Sequence, residues 1–190
     1  MLGNGRIQAA ARPRGRSQPL PLRVDPIEHA DEIARFRSRI VAGPLDSDCW
    51  VWSGALSDDG YGVFRIRRDG VRRVVRSSRY ALALSLGGKI LAPTILALHT
   101  CDDPVCTRVT PLDDVARGIA EHVVGGTQRD NMERMVRMRR GGGRPAIIAR
   151  GAGVAARAER SRAIRSAVAE GWDADRVNAA LLGTAQPTLW

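Results

Sequence analysis

Three cysteines, two histidines and one asparagine carry the chemistry this chain could do. Leu98-His99-Thr100-Cys101 runs into Asp102-Asp103-Pro104-Val105-Cys106, and further on come Glu121-His122-Val123 and Thr127-Gln128-Arg129-Asp130-Asn131. Cys101 and Cys106 share a short Pro-containing loop that can present two thiolates to one ion. Cys49 and His122 could complete a tetrahedral Cys3His set, the donor set of a structural zinc site. Any one of the cysteines alone is more readily read as a small buried hydrophobe, and it is the set that favours coordination. His122 enters the set because no other histidine is near. His99 stands two residues before Cys101, where a metal-fixed loop would hold its imidazole rigidly without making it a ligand. A neutral histidine can take a proton from water near pH 7, so this position suits a general base in attack on a phosphodiester. Asn131 falls four residues after Thr127, in the first turn of a helix, and offers a hard carbonyl oxygen suited to Mg²⁺. Such an ion stabilises the pentavalent phosphate and the leaving 3′ oxygen. A lone Asn after a helix cap is ordinarily just solvated; it is the combination that describes one reaction centre.

These residues need elements to hold them. Cys49-Trp50-Val51-Trp52 reads as a short strand, and Ser57-Asp58-Asp59-Gly60 as a turn. Tyr61 to Arg67 and Val71 to Arg76 flank Asp69-Gly70, a strong hairpin signal, so a β-hairpin bearing arginines at 65, 67, 68, 72, 73 and 76 is predicted. A short helix over Arg79 to Leu86 stops at Gly87-Gly88, and Ile95 to His99 is strand-like. Thr127-Gln-Arg-Asp130 is a capping box, from which a helix runs toward Gly141-Gly142-Gly143 with Met132, Met135 and Val136 as its expected buried stripe. Upstream, the spacing of Ile27, Ala30, Ile33, Ala34 and Ile40 predicts an amphipathic helix between Pro26 and Ile40. Downstream, Ala155 to Ala169 and Asp173 to Leu182 predict two helices hinged at Gly171, packed through Ile164, Val168, Val177 and Leu181, in the outline of a helix-turn-helix.

Charge points to the partner. The formal net charge is +10, and every basic residue except Lys89 is arginine, whose planar fork pairs with phosphate oxygens. A coding bias toward arginine explains composition equally well, but not distribution: Arg134 to Arg165 contains ten arginines against one carboxylate, Glu159. That stretch reads as a nucleic-acid-facing arm. Aromatics make up only 4 % of the chain, so the core is expected to rest on small aliphatics and a bound metal. No apolar run nears 18 residues and no hydrophobic leader block is visible, which predicts a cytoplasmic protein with no membrane partner. In that reducing compartment an odd set of three thiols favours metal over disulfides.

The chain resembles the HNH (His-Me finger) endonucleases, particularly a phage-encoded group. The resemblance rests on Cys49-Trp50-Val51-Trp52, Gly60-Tyr61-Gly62, His99 to Cys106, His122-Val123 and Gly126-Thr127-Gln128-Arg129-Asp130-Asn131-Met132, and covers about residues 45 to 140. The order of base, zinc ligands and Asn is also similar to that of the His-Cys box homing endonucleases. It implies an α+β fold with a zinc-stabilised ββα-metal core, His99 as base, Asn131 as Mg²⁺ ligand, and Cys49, Cys101, Cys106 and His122 as zinc ligands. It also implies an arginine on the sheet against the scissile phosphate, which counting from the turn puts at Arg73, with Arg72 and Arg65 as competitors because register is not fixed by one sequence. Two departures stand out. Fifteen residues separate Cys106 from His122 where the family has a few, so Thr107 to Glu121 reads as an inserted loop, and Ser78 replaces a frequent His.

The expected organisation is a disordered basic lead over residues 1–24, an endonuclease domain over 25–140, and a basic linker with a helical DNA-binding extension over 141–190. The expected function is cleavage of double-stranded DNA, using Mg²⁺ or a similar divalent ion beside a structural Zn²⁺, inside a bacterial host cell, with a homodimer left open. Arg65, Arg67, Arg72, Arg76, Arg137, Arg140 and Arg144 are the expected DNA contacts. The alternative is a zinc-stabilised DNA-binding or regulatory protein that does not cleave. His99 and Asn131 discriminate, since a pure binder has no reason to keep both.

Overall fold

The structure is a computed structural model that describes residues 19–137 and 153–182. Its elements in order are β1 (Leu22–Arg23), α1 (Ala30–Arg37), β2 (Ile40–Ala42), β3 (Trp50–Trp52), β4 (Val63–Arg68), β5 (Val71–Arg76), α2 (Ser77–Ser85), β6 (Ile90–Leu91), β7 (Leu96–His99), α3 (Leu112–Ala116), β8 (Val123–Gly126), α4 (Gln128–Arg137), α5 (Val154–Ala167) and α6 (Ala174–Leu182). This is a mixed α+β arrangement. Its strands pair in small two-stranded antiparallel sheets, β1 with β6, β2 with β3, β4 with β5 and β7 with β8.

Four aromatic side chains meet at its centre. Phe36 of α1 lies 4.5 Å from Tyr80 of α2 and 5.1 Å from Trp52 of β3, ring to ring, and Phe64 of β4 lies 4.8 Å from Tyr80. A core of small aliphatics is the expectation when aromatics are few; instead half of the chain's aromatics gather in one place, where each buries a large area and gains ring-to-ring contact. Arg79 is buried beside this cluster and ties α2 to distant backbone, donating to the carbonyls of Ile95, Ala92 and Leu20. Burial pushes its pKa down.

Two ends of the chain are more tightly integrated than their composition suggests. Of the segment 1–24 expected as a disordered basic lead, residues 1–18 lie outside the described residues, while Leu22 and Val24 are buried, with Leu22 paired opposite Leu91. Alternating apolar residues at 22 and 24 suffice for a two-residue edge pairing, too short to register as periodicity. At the other end α5 and α6 join the same core through Ile164, Ala167, Val168 and Val177, all buried. Gly171 turns the chain between them at φ +113°, a left-handed conformation that glycine tolerates at no steric cost.

The segment that orders the candidate site is β7, β8 and α4. His99 pairs opposite Val123 and Leu96 opposite Gly126, and α4 follows β8 directly. Its start is capped as the sequence predicts: the Thr127 backbone N–H and hydroxyl donate to Asp130 Oδ2 at 2.7 and 2.8 Å, and the Asp130 N–H donates back to Thr127 Oγ1 at 3.2 Å. The expected buried stripe on this helix is not found. Met132, Met135 and Val136 are 52 %, 37 % and 66 % exposed, because α4 is held by its capped first turn and by Arg134, which donates to Thr100 O and Asp102, rather than by its apolar face.

Candidate metal centre

Cys49, Cys101, Cys106 and His122 come together, their ligand atoms all within 4.8 Å of one another. Three separate pieces of backbone bring them there. The segment Val105–Thr107 lines up with β3, Trp52 N–H donating to Val105 O at 2.9 Å and Thr107 N–H to Trp50 O at 2.8 Å, which sets Cys106 beside Cys49. The β7–β8 pairing then brings His122 to the same place, its carbonyl accepting from Thr100 N–H at 2.8 Å. The long Cys106–His122 interval does not break this geometry because it is tied off at its base. Val123 N–H donates to Arg108 O at 2.9 Å, Thr110 Oγ1 donates to Ala120 O at 2.8 Å, and buried Arg108 donates to the carbonyls of Leu45 and Asp48. The segment 107–121, with α3 at its far end, therefore forms a closed excursion.

The donor geometry suits zinc. His122 Nδ1 lies 3.5 Å from Cys49 Sγ and 3.8 Å from Cys106 Sγ. A tetrahedral ion with bonds of about 2.0–2.3 Å separates its ligand atoms by roughly 3.5–3.8 Å. Charge favours the same conclusion. The Cys101 thiol is driven below its ordinary range because the Cys106 and Cys49 thiols donate to its thiolate. Cys49 is raised by its bonds to Cys101 and Cys106, and Cys106 by burial first and then by Cys101. The thiols thus compete for one negative charge. A divalent cation removes the competition, since a coordinating thiol is deprotonated outright. The cluster could hold a metal ion such as zinc.

His99 sits at the edge of this cluster on the last residue of β7, near enough to contribute to lowering the Cys101 thiol. Both its ring nitrogens are shielded from solvent, and neither has a hydrogen-bond partner at bonding distance among the described residues. Within the loop that carries Cys101 and Cys106, Asp103 is fully buried. It accepts from Val105 N–H at 3.0 Å through one oxygen, and the other has no partner among the described residues. Burial, followed by the Cys101 charge, pushes its pKa up to about 6. Asn131 occupies the first turn of α4, half-buried, its N–H donating to Thr127 O at 3.1 Å.

The arginines divide between two faces of the β4–β5 hairpin. Register pairs Val63 with Arg76, Arg65 with Val74 and Arg67 with Arg72, so these share one face, while Arg73 pairs with buried Ile66 on the other. Arg73 lines a groove with Arg23, Glu28, His29 and Arg68, which Arg67 also borders, whereas Arg76 stacks on Tyr61, guanidinium 3.8 Å from the ring centroid. The Tyr61 ring is in turn 6.1 Å from that of His99. Arg76 rather than Arg73 is thus the hairpin arginine linked to His99, through the one ring that both approach. Arg65, Arg67 and Arg72 are exposed, as is Arg137 on α4; Arg140 and Arg144 lie outside the described residues.

Sequence reasoning missed Tyr61 as a neighbour of His99, although Gly60-Tyr61-Gly62 carried the signal. Gly60 has φ +84°, and a Cβ there would stand 2.7 Å from Ala158 Cα; a Cβ on Gly62 would stand 2.2 Å from Ser77 Oγ and 2.6 Å from Trp52 Cδ1. Both glycines permit the close approach that fixes the ring between them. Arg157 of α5 was also missed, since no local pattern in that helix hints at contact with the turn. Its Nε donates to Asp59 O at 2.8 Å, across 98 residues of sequence. Among the described residues, no helix is long and apolar enough to cross a membrane. Comparison with family models, with characterised proteins and with solved structures returns no match.

Proposed function

We propose that this chain is a metal-dependent DNA endonuclease of the HNH class, with a ββα-metal core formed by β7, β8 and α4. The observation that carries the reading is the position of His99. It ends β7, it stands two residues from a ligand of a Cys3His cluster, and Asn131 lies in the first turn of the helix that follows the paired strand. Its two ring nitrogens are shielded from solvent and meet no partner at bonding distance among the described residues, which leaves the ring able to take a proton.

In this reading His99 takes the proton of a water as the water oxygen bonds to phosphorus. The bond from phosphorus to the 3′ oxygen breaks, and that oxygen takes a proton from solvent, leaving 5′-phosphate and 3′-hydroxyl ends. Asn131 would hold Mg²⁺ or a similar ion, which when bound stabilises charge on the phosphate and the leaving oxygen. The imidazole is shielded before substrate arrives, and catalytic contacts commonly tighten only in the substrate complex. Double-stranded DNA is favoured as substrate by the exposed arginine face of the hairpin. Arg67 and Arg72 stand directly opposite one another there, a like-charge pair that costs stability unless a polyanion lies across it.

Plasmid relaxation with Mg²⁺ against EDTA tests the proposal. The intact chain should nick or cut only with the metal, and His99→Ala should lose about 10²–10⁴-fold in rate while retaining zinc and fold. Nicking that persists in the variant rejects His99 as base. An intact chain that binds DNA but cleaves none is the zinc-stabilised DNA-binding protein instead.

A further inference from the structure

We propose that Arg157 of α5 and Arg76 of β5 together form a guanidinium clamp for the scissile phosphate. The inference rests on the phosphodiester reading above and extends it to a helix outside the hairpin–helix unit. Both guanidinium groups lie over the ring of Tyr61, Arg76 at 3.8 Å and Arg157 at 5.2 Å from its centroid, and that ring is 6.1 Å from the His99 imidazole. One turn anchors both. Arg76 Nη2 pairs with Asp59 Oδ2 at 2.8 Å, while Arg157 donates from Nε to the Asp59 carbonyl, also at 2.8 Å.

Two cations thus flank one carboxylate and share the Tyr61 ring, which in turn approaches His99. The excess positive charge is what a phosphodiester anion would complement, and a planar fork held by its Nε keeps its Nη groups available for phosphate oxygens. The mounting is rigid. Gly60 allows the α5 backbone to approach at Ala158, Ser161 is buried and donates to Arg157 O at 2.9 Å, and Ile164 is fully buried in the core. If Arg157 served only to fasten α5 to the turn, the Nε bond would be enough. The approach of its guanidinium to the Tyr61 ring, next to His99, is what the fastening role leaves unexplained.

The test uses the full chain with Mg²⁺ and plasmid DNA. Arg157→Gln keeps an amide able to donate to the Asp59 carbonyl but removes the charge. The clamp requires kcat to fall about a hundredfold, with KM changed less than about threefold and with zinc content and melting temperature as in the intact chain. The double variant with Arg76→Gln should then lose less than the product of the two single losses, because both act on one phosphate. If Arg157→Gln melts early, Arg157→Lys decides, since it retains the cation but not the fork: a lowered kcat at intact stability supports the clamp, and full kcat overturns it. Cleavage by Arg157→Gln within about twofold of the intact rate overturns the clamp alone. An intact chain that cleaves no DNA overturns the phosphodiester reading and the clamp with it.

Discussion

Around the 100–106 loop, Cys49, Cys101, Cys106 and His122 turn their donor atoms toward one another; at the edge of that cluster, the ring nitrogens of His99 meet no partner at bonding distance among the described residues. The two groups share a backbone, and Cys101 belongs to one while standing two residues from the other. Convergent donors make a closed site, in which a metal stabilises the fold and has no position left for substrate. Unsatisfied polar atoms make no contribution of that kind and lower stability where they sit. A loop fixed by the first group can therefore hold the second in a conformation it would not keep by itself. Breaking either side should have different consequences, and the contrast predicts which.

The largest effect belongs to the closed side. Cys106→Ser, or chelation of the intact chain, should cost on the order of 5 kcal/mol or more, enough to unfold a domain whose whole stability is about 5–15 kcal/mol. Circular dichroism with and without chelator reads this directly; a melting curve unchanged by chelation would mean that the cluster binds no structural metal. On the open side Asn131→Ala should leave the melting curve in place and lower cleavage on the order of a hundredfold, with more Mg²⁺ needed for half-maximal rate. An equal loss of stability and rate would place Asn131 in the fold rather than in the chemistry.

A smaller effect separates the hairpin faces. Arg67→Ala and Arg72→Ala, on the exposed face, should each weaken DNA binding uniformly across sequences and reduce the slope of log affinity against log salt by about one. Arg73→Ala, on the face with Ile66, should change that slope less than Arg72→Ala does. A larger change for Arg73 than for Arg72 would reverse the assignment of faces.

The candidate metal ligands were legible because cysteine and histidine are rare in this chain and their chemistry is narrow, which leaves Cys101, Cys106 and Cys49 few roles other than coordination once they are taken as a set. The hairpin was legible for a different reason: Asp69-Gly70 is a local signal, and both residues adopt the positive φ such a turn requires. Apart from the metal-ligand set, contacts between residues distant in the chain could not be read. Strand alternation by itself puts Arg73 and Arg76 on opposite faces, but which of those faces turns toward Tyr61 and His99 is set by contacts distant in sequence. The apolar residues of α4 had helical spacing, yet spacing says which side chains share a face and not whether another element covers it. The joining of α5 to the Ser57–Gly62 turn depends on Gly60 and Ala158 meeting in space, which no local pattern encodes.

The smallest expected effect lies at the start of α4, where the cap links the two sides. The Asp130 carboxylate is held below its ordinary range by the Thr127 N–H first and the Thr127 hydroxyl second. Its contribution is therefore fully present above the ordinary carboxylate pKa and is lost as pH falls through the lowered value. Thr127→Ala removes the hydroxyl from both directions of the box and should lower the melting temperature by about 2–4 °C near neutral pH. Because the Thr127 backbone N–H survives the substitution, the acid dependence of the cap should shrink rather than vanish. If the loop beside His99 depends on α4 being in place through Arg134, cleavage should fall further than this small change in stability accounts for, and kcat measured well below the melting temperature distinguishes the two. A rate that follows stability alone would mean that the cap serves the helix and leaves the placement of Asn131 to the strand that precedes it.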